Sequence, residues 1–326
     1  MNTNQALFQK FLTGDRRALA KLISSVEDLE PGSEETLHLA YPRLGKAHRI
    51  GVTGPPGVGK STLVNGLILS FRQAGLKVGV IAVDPTSPFT GGAFLGDRLR
   101  MRDASLDPQV FIRSLATRGS SGGLSRATRD VADLLDAFGK DVILIETVGV
   151  GQSELDIVGA SDTTVVVLVP ESGDSIQAMK AGLMEIGDLF CINKADREGA
   201  AATAAAIEFI LQLKQDAWRP KVLKTVATRA EGITELVDEL RRHREHLEER
   251  DLLGLRRRER IRSEIKEIVE ERIREELWSD RDESLPRLVQ RVMDGELTPW
   301  SAAEEVLRDQ GGESGLSRWK WHQEDG

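Results

Sequence analysis

The chain is poor in the residues that would let it act through thiol, redox or metal chemistry. Of 326 residues one is cysteine, one tyrosine and five histidine, and aromatics make up 5%. A single cysteine excludes an internal disulfide. Cys191 lies in the apolar run Leu189-Phe190-Cys191-Ile192 and reads as a buried small hydrophobe in a reducing compartment. Five scattered histidines supply no His-rich stretch and no Cys/His metal motif. Positive charge is not in excess either: 44 basic against 52 acidic residues give a net charge of −8. That balance argues against a nucleic-acid partner held by phosphate neutralisation. Nowhere do eighteen apolar residues run together, and Met1 to Lys10 lacks a basic segment followed by an apolar one. No membrane span and no secretory leader are expected, and a cytoplasmic location is.

What is present is rhythm. Leu7, Phe8, Phe11, Leu12, Leu19, Leu22, Ile23 and Val26 recur at helical spacing, broken at Gly14-Asp15, which predicts a short helical pair. From Arg49 to about Ala227, strand-length apolar runs alternate with helical patterns: 77–83, 110–113, 142–145, 163–169, 189–192 and 222–226. The alternation predicts an α/β fold with a mostly parallel, doubly wound sheet. Beyond Glu231 an almost unbroken helical stretch carries Ile261, Ile265, Ile268, Val269, Ile273 and Leu277 on one face and charge on the other. It reads as an arm that packs against a second subunit, because an apolar stripe of that length needs a covering surface. The expected division is a helical extension over 1–46, a nucleotide-binding domain over 47–250, and a helical dimerisation arm and tail over 251–326.

Residues 51–62, Gly-Val-Thr-Gly-Pro-Pro-Gly-Val-Gly-Lys-Ser-Thr, fit the template G-x-x-x-x-G-K-[ST] between a β-branched run and an apolar helix. Glycines in such a loop let backbone N–H groups face phosphate oxygens, a lysine reaches the outer phosphates, and a helix N-terminus adds donors. The phosphate-binding residues are therefore Gly54, Pro55, Pro56, Gly57, Val58, Gly59, Lys60, Ser61 and Thr62, with the Ser61 hydroxyl on Mg²⁺. The base is addressed by Asn193-Lys194-Ala195-Asp196, directly after an apolar strand. A carboxylate such as that of Asp196 accepts from both the ring N–H and the exocyclic amine of guanine, a donor pair that adenine lacks, while Asn193 and Lys194 flank the ring and loop.

Mg²⁺ prefers oxygen ligands, so acidic residues at strand ends facing the phosphates are its candidates. They are Asp84, in Val83-Asp84-Pro85, and Glu146, in Ile145-Glu146-Thr147-Val148-Gly149, where the usual D-x-x-G aspartate is replaced by glutamate. Asp97 is a third, in a glycine-rich segment suited to a switch. Many GTPases place a water-orienting glutamine directly after the D-x-x-G glycine. Here that residue is Val150, with Gln152 two positions on, so slow intrinsic hydrolysis is expected and no catalytic base is assigned. Arg118, beside a glycine loop, reads as a surface arginine.

Taken in order, the phosphate loop, Asp84-Pro-Thr-Ser87, Leu95-Gly-Asp-Arg-Leu-Arg-Met101, Glu146-Thr-Val-Gly-Val-Gly-Gln-Ser-Glu154 and Asn193-Lys-Ala-Asp196 resemble the MeaB/ArgK/MMAA family of mutase-associated G proteins. The similarity continues through residues 170–187 and 225–233, and covers roughly 5 to 280. The resemblance implies a P-loop GTPase core, binding of GTP and GDP with Mg²⁺, a homodimer through C-terminal helices, and an adenosylcobalamin-dependent acyl-CoA mutase of the methylmalonyl-CoA mutase type as client. It further implies that Val226, Ala227 and Thr228 line the base, and that Gln177 and Lys180 belong to a switch relaying nucleotide state to the mutase. Pro88 and Phe89 depart from the expected small or basic residues, and the chain after about Asp280 has no counterpart. A nickel-type metal-insertion GTPase and a P-loop kinase are the alternatives.

Overall fold

The computed structural model describes residues 3–84, 102–116, 126–147, 153–170, 182–213, 218–279 and 284–308. The chain divides into two compact units, residues 1–261 and 262–326. The first opens with α1 (Thr3–Leu12), α2 (Arg16–Glu27) and α3 (Ser33–Ala40). Between the first two, Gly14 turns the chain at φ +84° and Asp15 caps α2, its carboxylate accepting from the N–H groups of Arg17 and Ala18. These are the residues where the helical periodicity breaks, and their chemistry is that of a stop followed by an N-cap.

Next come β1 (His48–Thr53), α4 (Lys60–Gln73), β2 (Val78–Asp84), β3 (Val110–Ala116), α5 (Arg126–Ala137), β4 (Val142–Glu146), β5 (Thr163–Leu168), β6 (Leu189–Ile192), α6 (Ala200–Gln212) and β7 (Val222–Lys224). The seven strands form one parallel sheet in the order β3-β2-β4-β1-β5-β6-β7. Alternation along each strand sends side chains to both faces. Ile50, Val52, Val80, Leu144, Val165, Val167 and Cys191 pack with α4 on one. On the other, Ile81, Val83, Ile143 and Ile145 pack with α1, α2 and α5, while Val166, Leu168, Phe190 and Ile192 pack with α6. Burial on both faces is why these strands read as near-continuous apolar runs rather than alternating ones. From β1 the chain leaves toward β2 on one side, and β5 lies on the other. The crevice at the carboxyl end of β1 is thus the switch point where open α/β sheets bind ligands.

After β7, α7 (Ile233–Glu249) packs back on the sheet and α8 (Leu252–Ser279) follows. The almost unbroken helical stretch read from the sequence is interrupted once, at Arg250-Asp251, where Asp251 sits at φ +57°. Neither glycine nor proline marks the break; aspartate is among the few residues that tolerate this region.

The first turns of α8 are tied to the amino ends of β5 and β6, opposite the crevice. Arg256 grips the Asp188 carboxylate with both terminal nitrogens, at 2.8 and 2.9 Å. Arg257 takes Asp162 at 2.9 and 3.2 Å, and Arg260 reaches it at 3.4 Å. Burial works against ionised carboxylates here, but the hydrogen bond from Arg257 and the charges of Arg260 and Arg257 hold Asp162 below the usual range. The His243 ring, with Nε2 3.3 Å from Oδ1, and the bonds from Arg256 likewise outweigh burial and hold Asp188 at about 2. Beside them runs a buried chain: His48 Nε2 to Thr163 Oγ1 at 2.8 Å, and Thr163 Oγ1 to His243 Nδ1 at 2.8 Å. Trp218 lies against His243 and His246 and donates its indole N–H to the Asp188 carbonyl. In the second unit, α9 (Leu285–Met293) and α10 (Pro299–Arg308) pack together, with Arg291 on Glu305 at 2.7 Å. No described helix is long and apolar enough to cross a membrane.

Candidate nucleotide-binding site

The loop between β1 and α4 is shaped by what its glycines allow. Gly54 has φ +137°, and a Cβ there would stand 2.1 Å from the Val167 carbonyl oxygen of β5. Gly59 has φ +94°, and its Cβ would meet the Asn193 side-chain nitrogen at 2.5 Å. Both positions therefore need glycine for backbone angle and for space. α4 begins at Lys60 directly after Gly59, so its positive end and the N–H groups of its first turn, which lie outside the helix's own ladder, face the crevice. The Lys60 ammonium folds over the loop, donating to the carbonyls of Gly54 at 2.7 Å and Pro55 at 3.0 Å. Those bonds hold a cation at the place where outer phosphates are expected.

Ser61 and Glu146, assigned to one metal from sequence, are brought together. The Ser61 hydroxyl donates to Glu146 Oε1 at 2.7 Å, and both groups are buried. Register accounts for this, since Glu146 is level with Val52 of β1 and Ala82 of β2 at the carboxyl edge. Asp84 is the last residue of β2, two positions further along the same edge. Thr147 continues from β4 with its N–H on the Val52 carbonyl and its hydroxyl on Thr53. The donor set at this edge is hydroxyl and carboxylate oxygen, the chemistry that suits Mg²⁺. Asp97, Arg118, Val150, Gln152, Gln177 and Lys180 lie outside the described residues.

Asn193 joins the two halves of the site. Its amide nitrogen donates to the Val58 carbonyl at 2.8 Å, and its amide oxygen accepts from Thr225 Oγ1 and from the Ala227 N–H, both at 3.1 Å. Lys194, at φ +55°, donates to the Gly57 carbonyl at 2.7 Å. The loop after β6 is thereby bonded to the loop after β1, and the residues after β7, Val226 to Thr228, are drawn to the same place. Asp196 is left with a carboxylate 43% exposed, and Arg229 stands 3.9 Å away. Thr225 also meets Cys191 Sγ at 3.1 Å, and burial pushes that thiol up to about 12. The cysteine is chemically inert packing beneath the site.

The sequence did not single out Thr225 as an Asn193 partner, Arg229 beside Asp196, or Glu231 as the partner of Arg229. All three lie in the segment Thr225-Val-Ala-Thr-Arg-Ala-Glu-Gly, but only the register of β6 against β7, Ile192 level with Lys224, sets Thr225 beside the asparagine.

The family described as "Methylmalonyl Co-A mutase-associated GTPase MeaB" matches residues 19–282. A protein of Pyrococcus abyssi named as a GTPase is 51% identical over 93% of this chain and 95% of its own length. Another so named, from Mycobacterium tuberculosis, is 40% identical over 90% of this chain and 91% of its own. The mitochondrial methylmalonic aciduria type A homolog of Mus musculus is 33% identical over 93% of this chain and 78% of its own length. Among solved structures, a LAO/AO transport system kinase superposes with a TM-score of 0.72 at 28% identity, over 94% of this chain and 97% of that one.

Proposed function

The chain belongs to the MeaB family of GTPases, and from that premise we propose that it is a G-protein chaperone of an adenosylcobalamin-dependent acyl-CoA mutase. Methylmalonyl-CoA mutase is the type of client. The chemistry is hydrolysis of GTP by water to GDP and phosphate. The proposal is that this reaction times the loading of cofactor into the mutase and protects or reactivates it.

The observation that carries the reading is the pair of bonds from Asn193 to Val58 and from Lys194 to Gly57. They make the base-reading and phosphate-holding loops one body, so a single ligand with guanine at one end and phosphates at the other satisfies both. In this reading the N–H groups of Gly54 to Thr62 hold the phosphates, and Lys60 exchanges its two carbonyl partners for outer phosphate oxygens. Asp196 accepts from guanine, with Asn193 and Lys194 and with Val226, Ala227 and Thr228 around the ring. Mg²⁺ would be held by Ser61 and Glu146, with Asp84 and Asp97 as further acids, and when bound it neutralises charge on the phosphates. The intrinsic rate is slow, since Val150 stands where a water-orienting glutamine would be expected. Gln177 and Lys180 relay nucleotide state to the client.

The exposed apolar stripe of Ile265, Val269 and Ile273 on the arm is the proposed homodimer surface. A metal-insertion role finds no support in the buried histidines. His48 and His243 are spent on the Thr163 chain at the end of the sheet opposite the crevice.

The test is transfer of adenosylcobalamin to the apo form of the mutase from the same organism. Transfer governed by GTP and lost with Lys60→Ala is expected. Transfer indifferent to nucleotide and to that variant would refute the chaperone reading.

A further inference from the structure

Arg229 is carried on a turn that is fixed against the sheet. Ala227–Arg229 form one 3₁₀ turn after β7, and an antiparallel bridge between Val226 and Glu231 closes it. The Val226 N–H donates to the Glu231 carbonyl at 3.0 Å and the Glu231 N–H returns to Val226 at 3.3 Å. At Gly232, φ +76°, a Cβ would lie 2.1 Å from the Lys224 carbonyl oxygen, so the chain leaves the turn by a path open only to glycine.

Glu231 occupies one side of the Arg229 guanidinium, with Nε on Oε1 at 2.8 Å and Nη2 on Oε2 at 3.3 Å. The remaining nitrogen, Nη1, stands 3.9 Å from Asp196 Oδ2. Because the guanidinium is planar and rigid, a carboxylate on two of its nitrogens fixes where the third one points.

Reading guanine demands orientation as well as charge, for both carboxylate oxygens must lie in the base plane to meet the ring N–H and the 2-amino group together. The terminal torsion of an aspartate is broad, so a half-exposed carboxylate turns freely unless a neighbour holds it. We propose that Arg229 is a positioning and specificity-determining residue: braced by Glu231, it turns the Asp196 carboxylate toward the 2-amino edge of the base. The proposal rests on the reading of Asp196 as the base acceptor. Hypoxanthine, which keeps the ring N–H and lacks the 2-amino group, is the base against which this orientation selects. Asp196 and Arg229 are both about half exposed and their separation is long, so the effect is small, on the order of three- to five-fold.

The test is calorimetric titration of the full chain with GDP and with inosine diphosphate, in Mg²⁺. Arg229→Ala is expected to weaken GDP roughly three- to five-fold while inosine diphosphate hardly changes, so the ratio of the two affinities falls by that factor. Arg229→Lys, which keeps the charge and loses the fork, should restore part of the ratio. Glu231→Gln should lower it in the same direction. An unchanged ratio in Arg229→Ala, or equal weakening of both nucleotides, would overturn the assignment, because a merely structural role would weaken both alike. Asp196→Asn separates this failure from that of the underlying reading. If it leaves the ratio intact, the base assignment falls; if it collapses the ratio and Arg229→Ala does not, only the role of Arg229 falls.

Discussion

Asn193 makes bonds at both ends of one amide, and those bonds span three loops. Replacing it with alanine unties the loops and leaves the buried Val58 carbonyl and Thr225 hydroxyl without their amide partner. A buried polar group so stranded costs about 1–3 kcal/mol. Asn193→Ala should therefore lower stability by that amount in urea titration, and it should weaken GDP in fluorescent-nucleotide displacement, because the base and the phosphates no longer meet one rigid body. Lys60→Ala should abolish triphosphate binding while the circular dichroism spectrum stays unchanged, because the loop's backbone is set by its glycines rather than by the ammonium. Lys60, Ser61, Asn193 and Asp196 stood out as candidates in the sequence because they fall in motifs whose spacing ligand chemistry dictates. Thr225, Arg229 and Glu231 did not, since their roles arise from strand register and from a turn closed by a single bridge.

The strands were legible for a different reason. Runs read at 142–145, 163–169 and 189–192 became β4, β5 and β6 with ends shifted by a residue at most, because parallel strands buried on both faces admit little but aliphatic residues. The Arg250-Asp251 break and the anchor of α8 were hidden, as charged residues in a helix of alternating sign look alike until strand ends supply Asp162 and Asp188. The anchor carries measurable consequences. Arg257→Ala strips the buried Asp162 of its principal cation and should cost on the order of 3 kcal/mol, lowering the melting temperature by roughly 5–10 °C. The pH response follows from His48, whose ring burial pushes down to about 3. Its folded value lies below the unfolded one near 6.5, so between those values the unfolded chain takes up the proton and stability falls as pH falls. A slope of about 1.4 kcal/mol per pH unit around pH 5 is expected from this group. His48→Gln should flatten it in urea titrations. Asp162 and Asp188, held below their ordinary range, add a loss of the same sign at lower pH. Their contribution is full above about pH 4 and is lost as pH drops toward 2. On the arm, Val269→Asp with Ile273→Asp should convert the proposed dimer to monomer in sedimentation.

At the scale of the molecule, one parallel sheet carries the candidate site at one end and an anchor at the other. β5 and β6 run between them: their amino ends hold the carboxylates that Arg256 and Arg257 grip, and their carboxyl ends hold the Val167 carbonyl under Gly54 and the Asn193 loop. Such an arrangement suits a protein whose output is a bound state more than a fast reaction. The loops of the proposed nucleotide site are already cross-bonded, whereas Val150 follows the glycine after Glu146 where a water-orienting glutamine is usual. Hydrolysis that awaits a client, as proposed, is tested most directly by the rate of GTP turnover alone and with the adenosylcobalamin-dependent mutase of the same organism. A slow basal rate raised severalfold or more by the mutase, and abolished by Lys60→Ala in both conditions, is the predicted result. The same rate with and without the mutase would contradict the account.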